Sequence, residues 1–220
     1  MSDDQDPYER ERCRLVLVVP PLENATELLQ SALSGGDVAS VILAGDGMEP
    51  AAYLAHCQAL VKIAQEAGAA ALVVDDTQAM GRSGADGIFL TRPDHDLKAL
   101  VARISPQKIV GCGGARERHR ALEIGEANPD FLFFGKLDGD IKPQPHPKNL
   151  ALADWWSQMI EIPCVVMGGS AVESVVECVA SGAEFVALGL AVFACTDGPQ
   201  SAVREANRLI DENSAVLTVE

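Results

Sequence analysis

Short runs of Val, Ile, Leu and Phe recur along the chain, each followed by a longer stretch in which apolar residues return at helical spacing. The runs span 14–19, 40–43, 70–74, 87–90, 108–112, 131–134, 164–167 and 185–188. Uninterrupted apolar runs of this length predict strands buried on both faces, as in a parallel sheet covered by helices. The intervening stretches predict helices over 25–34, 50–67, 77–82, 97–104, 116–125, 149–160, 171–180 and 200–212. Eight strand-then-helix units imply an α/β fold, a single-domain (β/α)8 TIM barrel over 13–213. The competing arrangement, a doubly wound open sheet, calls for a Gly-x-Gly-x-x-Gly turn after the first strand. Pro20-Pro21 stands there instead.

Punctuation supports the count. Gly68, Gly84 and Gly182 each fall between a helical stretch and an apolar run, where a helix end takes a left-handed residue. The fragments Ser83-Gly84-Ala85-Asp86 and Ser181-Gly182-Ala183-Glu184, with Glu66-Ala67-Gly68-Ala69, read as one repeated device at the helix-to-strand joint. The longest irregular stretch, 135–148, follows the sixth strand and carries Pro143, Pro145 and Pro147. It is either a lid or a plain connection. The acidic segment 1–12 and the tail 214–220 are expected to fray.

Of the 220 residues, 48% are hydrophobic, enough to fill a sizeable core. Acids outnumber bases 32 to 17, a formal charge of −15, which disfavours nucleic acid and anionic membranes as partners. A small phosphorylated substrate remains compatible, because local amides and lysines can oppose the global sign. Six scattered cysteines without a Cys-x-x-Cys pair read as reduced thiols and imply no zinc site. With no apolar leader and no membrane-length run, a cytoplasmic protein is expected.

In such a barrel the chemistry sits at the carboxyl ends of the strands. Asp75 and Asp76 close the third run, and Asp94 lies four residues past Leu90. Adjacent strands are about 4.8 Å apart, so these carboxylates can converge. Magnesium needs only one or two carboxylates beside ligand phosphates, so Asp76 and Asp94 suffice for Mg2+. Their competing role is to cap the helices that begin near Thr77 and Leu97. Gly168 and Gly169 end the seventh run and Gly189-Leu190 the eighth, where bare amides form phosphate sites; the plainer role is to ease tight turns. Lys136 and Lys142 in the sixth loop can meet an anionic ligand, act as a general acid, or face solvent. His119 and His146 stand alone, and no Ser-His-Asp triad emerges.

Leu72-Val73-Val74-Asp75-Asp76, then Gly84-Ala85-Asp86-Gly87-Ile88-Phe89-Leu90 and Asp94, resemble segments of the thiamine phosphate synthases and their relatives, the thiazole tautomerases. Val165-Val166-Met167-Gly168-Gly169 and Gly182-Ala183-Glu184-Phe185-Val186-Ala187 extend the resemblance, which covers about 14–194. It implies a small (β/α)8 barrel that couples hydroxymethylpyrimidine diphosphate to thiazole phosphate with release of pyrophosphate. By the resemblance, Asp76 and Asp94 hold magnesium, while Gly168, Gly169, Gly189 and Leu190 cradle the thiazole phosphate. Asp75 and Gly113 fall at substrate-binding positions, replacing an asparagine and a serine. A homodimer is a family-level expectation.

The chain also departs from that pattern. Ala44 and Asp46 stand where the family carries the arginine and lysine that grip the diphosphate. Each lost charge-assisted contact is worth about 1.5 to 3 kcal/mol. Phe89 replaces a histidine, and Lys136 stands where the tautomerases place one. Of the threonine-rich sixth loop only Lys142 survives. Arg92 or Lys136 would restore part of the lost charge. Two readings follow: a divergent transferase using Lys136 and Lys142, or a catalytically degenerate relative that binds a small phosphorylated ligand or a protein.

Overall fold

A computed structural model describes residues 12–214. Eight parallel strands close on themselves in chain order: β1 (Arg14–Val19), β2 (Ser40–Leu43), β3 (Ala70–Val74), β4 (Gly87–Leu90), β5 (Ile109–Cys112), β6 (Phe131–Phe134), β7 (Cys164–Met167) and β8 (Phe185–Leu188). Leu17 lies opposite Leu188 where β1 meets β8, which removes any sheet edge. The open-sheet alternative is therefore excluded, and the chain is a single-domain (β/α)8 barrel.

The surrounding helices are α1 (Ala25–Leu33), α2 (Pro50–Glu66), α3 (Thr77–Ser83), α4 (Leu97–Ile104), α5 (Arg118–Gly125), α6 (Pro147–Met159), α7 (Val175–Ala180), α8 (Leu190–Phe193) and α9 (Pro199–Ser214). Three details depart from the expected pattern. The 171–180 helix is split into a 3₁₀ turn, Val172–Ser174, and α7. The short α8 follows β8 directly and has too few residues to show a period. The fifth helix starts at Arg118 rather than 116, leaving Arg116 in the loop above the barrel.

Successive strand residues face opposite sides, so the core divides into two shells. Val16, Val18, Ile42, Leu72, Phe89, Phe133, Val165 and Met167 fill the barrel, while Leu15, Leu17, Val41, Leu43, Val73 and Ile88 pack against the helices. Three phenylalanines meet inside: Phe89 lies 6.2 Å from Phe131, near-parallel, and 5.3 Å from Phe133, edge to face. Gly111 makes the room they need, since a Cβ there would lie 2.1 Å from Phe131 Cζ.

The repeated joint has a physical basis. Gly68, Gly84 and Gly182 take left-handed φ values of 82°, 73° and 75°. Just beyond two of these glycines, the Asp86 carboxylate accepts from Ala71 N (2.8 Å) and Glu184 from Cys164 N (2.8 Å). Each acid thus ties the foot of its own strand to the preceding one. Asp130 does the same for Val110 N at 2.7 Å.

Five cysteines are buried and none is paired; burial pushes Cys57 up to about 11 and Cys112 to about 12, which keeps them as thiols at neutral pH. Among the described residues no helix is long and apolar enough to cross a membrane. Apart from Arg12 and Ser214, the ends expected to fray lie outside the described residues. Arg12 itself is held by Asp211, Asp37 and Asn207.

Candidate functional site

Strands β2 to β6 deliver their carboxyl ends to one cavity of 670 Å³ at the mouth of the barrel. Its floor is apolar, formed by Val74 and the buried Phe89 ring. Around it stand four cations, Arg92, Arg116, Arg120 and Lys136, and three carboxylates, Asp46, Asp75 and Asp138. In a chain of charge −15 this is a local near-balance of charge. Arg120 is committed elsewhere, donating to Pro93 O and pairing with Glu123 at 2.9 Å. Arg92, Arg116 and Lys136 form no ion pair among the described residues. Unpaired cations above an apolar floor suit a ligand with a flat ring and an anionic arm.

The acidic pair after β3 is resolved into two roles. Asp75 takes a left-handed φ of 53°, and its carboxylate accepts from Thr91 N (2.8 Å) and Thr91 Oγ1 (2.5 Å). It staples the end of β3 to the loop after β4 while lining the cavity. Asp76 caps α3, its Oδ1 accepting from Gln78 N (2.9 Å) and Ala79 N (2.8 Å). Asp94 Oδ1 accepts from Asp96 N at 3.0 Å, closing the turn into α4. The capping alternative thus describes the geometry of Asp76, and that of Asp94 in part.

Neither Asp76 nor Asp94 lines the cavity. Among the described residues no group of three or more His, Cys, Asp and Glu side chains is gathered around a common point. Each of the two aspartates nevertheless keeps Oδ2 outside its capping bonds. That donor set fits a magnesium ion shared with a ligand's phosphates and does not amount to an all-protein cage.

The glycines of loops seven and eight are adjacent, but their N–H groups are in use. Gly168 N donates to Ala187 O (2.9 Å), Gly169 N to Ser174 Oγ (2.9 Å) and Leu190 N to the Asp140 carboxylate. The sixth loop lies directly over them: Lys142 O and Pro143 O accept from Ser170 N (2.7 Å) and Ala171 N (3.4 Å). Gly169 is required there, since a Cβ would sit 2.1 Å from Pro143 O. Lys142 contributes its carbonyl to this contact, and its exposed side chain is outside the cavity. Lys136 and Gly113 do line it.

Arg116, Arg120, Asp138 and Asp140 belong to the mouth without having been singled out by the sequence pattern. Periodicity places Arg116 in a helix that starts two residues later, and the Asp140 contact spans 50 positions, beyond any local signal.

The fold and mouth define a (β/α)8-barrel protein with a cavity lined by cations at its carboxyl-terminal face. A family model described as thiamine monophosphate synthase matches residues 15–192, and the chain belongs to that family. It is 34% identical to a thiamine-phosphate synthase of Hyphomonas neptunium, covering 96% of this chain and 99% of the relative. It is 31% identical to one from Rhodospirillum centenum, covering 90% and 98%. Among solved structures, a thiamine phosphate pyrophosphorylase from Pyrococcus furiosus superimposes with a TM-score of 0.77 at 21% identity, covering 92% of this chain and 98% of that one.

Proposed function

We propose that the chain couples a hydroxymethylpyrimidine diphosphate to a thiazole phosphate, with the cavity at the mouth holding the diphosphate. The observation that carries this reading is the gathering of Arg92, Arg116 and Lys136, unpaired, above Phe89 in an otherwise acidic chain. The methylene C–O bond of the donor breaks, and its electron pair leaves on pyrophosphate. The thiazole nitrogen then supplies the pair for the new C–N bond, and no proton need be transferred.

The protein's task is to oppose the charge that develops on the leaving group, which preorganised cations do well in a desolvated mouth. Arg92 and Arg116 would take over from the cations replaced by Ala44 and Asp46, with Lys136 beside the bridging oxygen. Val74 and Phe89 would form the apolar floor beneath the flat pyrimidine. Asp76 and Asp94 would hold magnesium, which supplies further charge neutralisation to the diphosphate.

One observation favours the second reading, a relative that binds without turning over. Asp46 lines the cavity, so an acid faces the place where the diphosphate would lie. The deciding experiment incubates purified protein with both substrates and magnesium and follows thiamine phosphate by its fluorescent oxidation product. Product formation is expected. No product, together with no heat of binding for the diphosphate, would retire the enzyme reading.

A further inference from the structure

Of the four cations around the cavity, Arg120 is the one whose guanidinium is already engaged within the protein. It rises from the first turn of α5 and reaches across to the loop after β4, where Nη2 donates to Pro93 O. Nη1 donates to Glu123 Oε2 at 2.9 Å, one helical turn on, which fixes the plane of the fork. Pro93 is buried, yet among the described residues no backbone N–H donates to its carbonyl. Arg120 supplies the partner that such a carbonyl requires. The residues on either side of Pro93 are Arg92 and Asp94, both exposed. The neighbouring loop also presses on this one: Gly114, at a φ of 81°, would bring a Cβ to 3.0 Å from Thr91 O.

We propose that Arg120 is a positioning residue for the diphosphate: it holds the loop after β4 at the mouth and acts on the bound anion only through Arg92. The inference rests on the reading above that the mouth holds a diphosphate. Thr91 fastens one end of the loop to Asp75, and α4 begins at Leu97. Between them, among the described residues, the bond from Arg120 is the one hydrogen bond that ties 92–96 to another unit of the barrel. A long side chain such as Arg92 loses freedom when it grips an anion, and fixing its backbone beforehand lowers that cost. The planar fork matters, because Nη1 and Nη2 are engaged at once; a lysine ammonium would be a point charge without a fixed plane.

The test is a double-mutant cycle read by calorimetric affinity for pyrophosphate without magnesium, so that Asp94 contributes nothing as a metal ligand. Wild type, Arg92→Gln, Arg120→Gln and the double variant are compared. Arg120→Gln is expected to weaken binding at least five-fold alone and less than two-fold when added to Arg92→Gln. Wild-type affinity in Arg120→Gln, or an equal loss in both backgrounds, overturns the proposal; the second result would mean that Arg120 grips the anion itself. Arg120→Lys keeps one donor for Pro93 O and is expected to fall between wild type and Arg120→Gln, and it replaces the glutamine variant in the cycle if that does not fold. Hydrogen exchange gives a reading free of any ligand. The bonded amides of Thr91, Asp96 and Leu97 are expected to exchange at least five-fold faster without Arg120, with Val110 unchanged. Unchanged exchange in the loop overturns the proposal. Pyrophosphate that fails to bind the wild type would sink the diphosphate reading, and exchange alone then decides whether Arg120 holds the loop.

Discussion

Asp75 and Asp76 are neighbours with the same side chain, and one backbone angle separates their roles. The left-handed turn at Asp75 aims its carboxylate sideways at Thr91, while Asp76, in extended backbone, caps α3. Asparagine shares aspartate's tolerance of the left-handed region, and its Oδ1 can accept from Thr91 N while its Nδ2 donates to Thr91 Oγ1. Asp75→Asn is therefore expected to cost less than about 1 kcal/mol. Asp75→Ala loses both bonds and the tolerance, and should cost about 2 kcal/mol in a denaturant titration. Asp94→Ala should abolish product formation, while its loss of one turn contact costs about 1 kcal/mol; unchanged turnover would remove Asp94 from the site. The sequence makes legible that acids crowd the ends of β3 and β4. It does not reveal which way each points, because that is decided by a φ reversal and by a partner on another strand.

At the scale of elements, all eight strands are legible, since strands buried on both faces must be apolar along their whole length. The helix starts were less so. Residues 113–117 carry two glycines and only Ala115 as an apolar position, so periodicity starts α5 at 116, two residues early. Local packing yields opposite expectations for two glycines. Gly111→Ala would drive a methyl into Phe131 and should lower stability by about 2 kcal/mol. Gly81→Ala, within α3 and with open space around it, should raise it by about 0.5 to 1 kcal/mol. Denaturation midpoints check both.

The foot of the barrel also has a pH signature. The Arg14 guanidinium, bonded to Asp37 at 2.8 and 2.9 Å, holds that carboxyl below its ordinary value, with Arg12 adding to the effect. A lowered folded value means the contribution is complete above the unfolded carboxylate range and is lost as pH falls through the folded value. Because the pair is partly exposed, it is worth only about 0.5 kcal/mol. The acid limb of a thermal-stability profile should flatten by that amount in Asp37→Asn.

For the molecule as a whole, the decisive feature is a cluster of three cations without ion pairs at the mouth of a strongly acidic protein. Its long-range field repels a diphosphate, so binding must come from short-range contacts at the mouth. The chain's charge and its missing strand-two cations were visible in the sequence. Their replacement was visible only in part: Arg92 and Lys136 stand out, whereas Arg116 is recognised once the fold sets the loop after β5 over the cavity. The most direct measurement is the calorimetric affinity for pyrophosphate of wild type beside Arg92→Gln, Arg116→Gln and Lys136→Gln. Loss of one charge-assisted contact should weaken binding by about ten-fold or more in each variant, with melting temperatures unchanged. Affinities equal to wild type in all three would contradict the account.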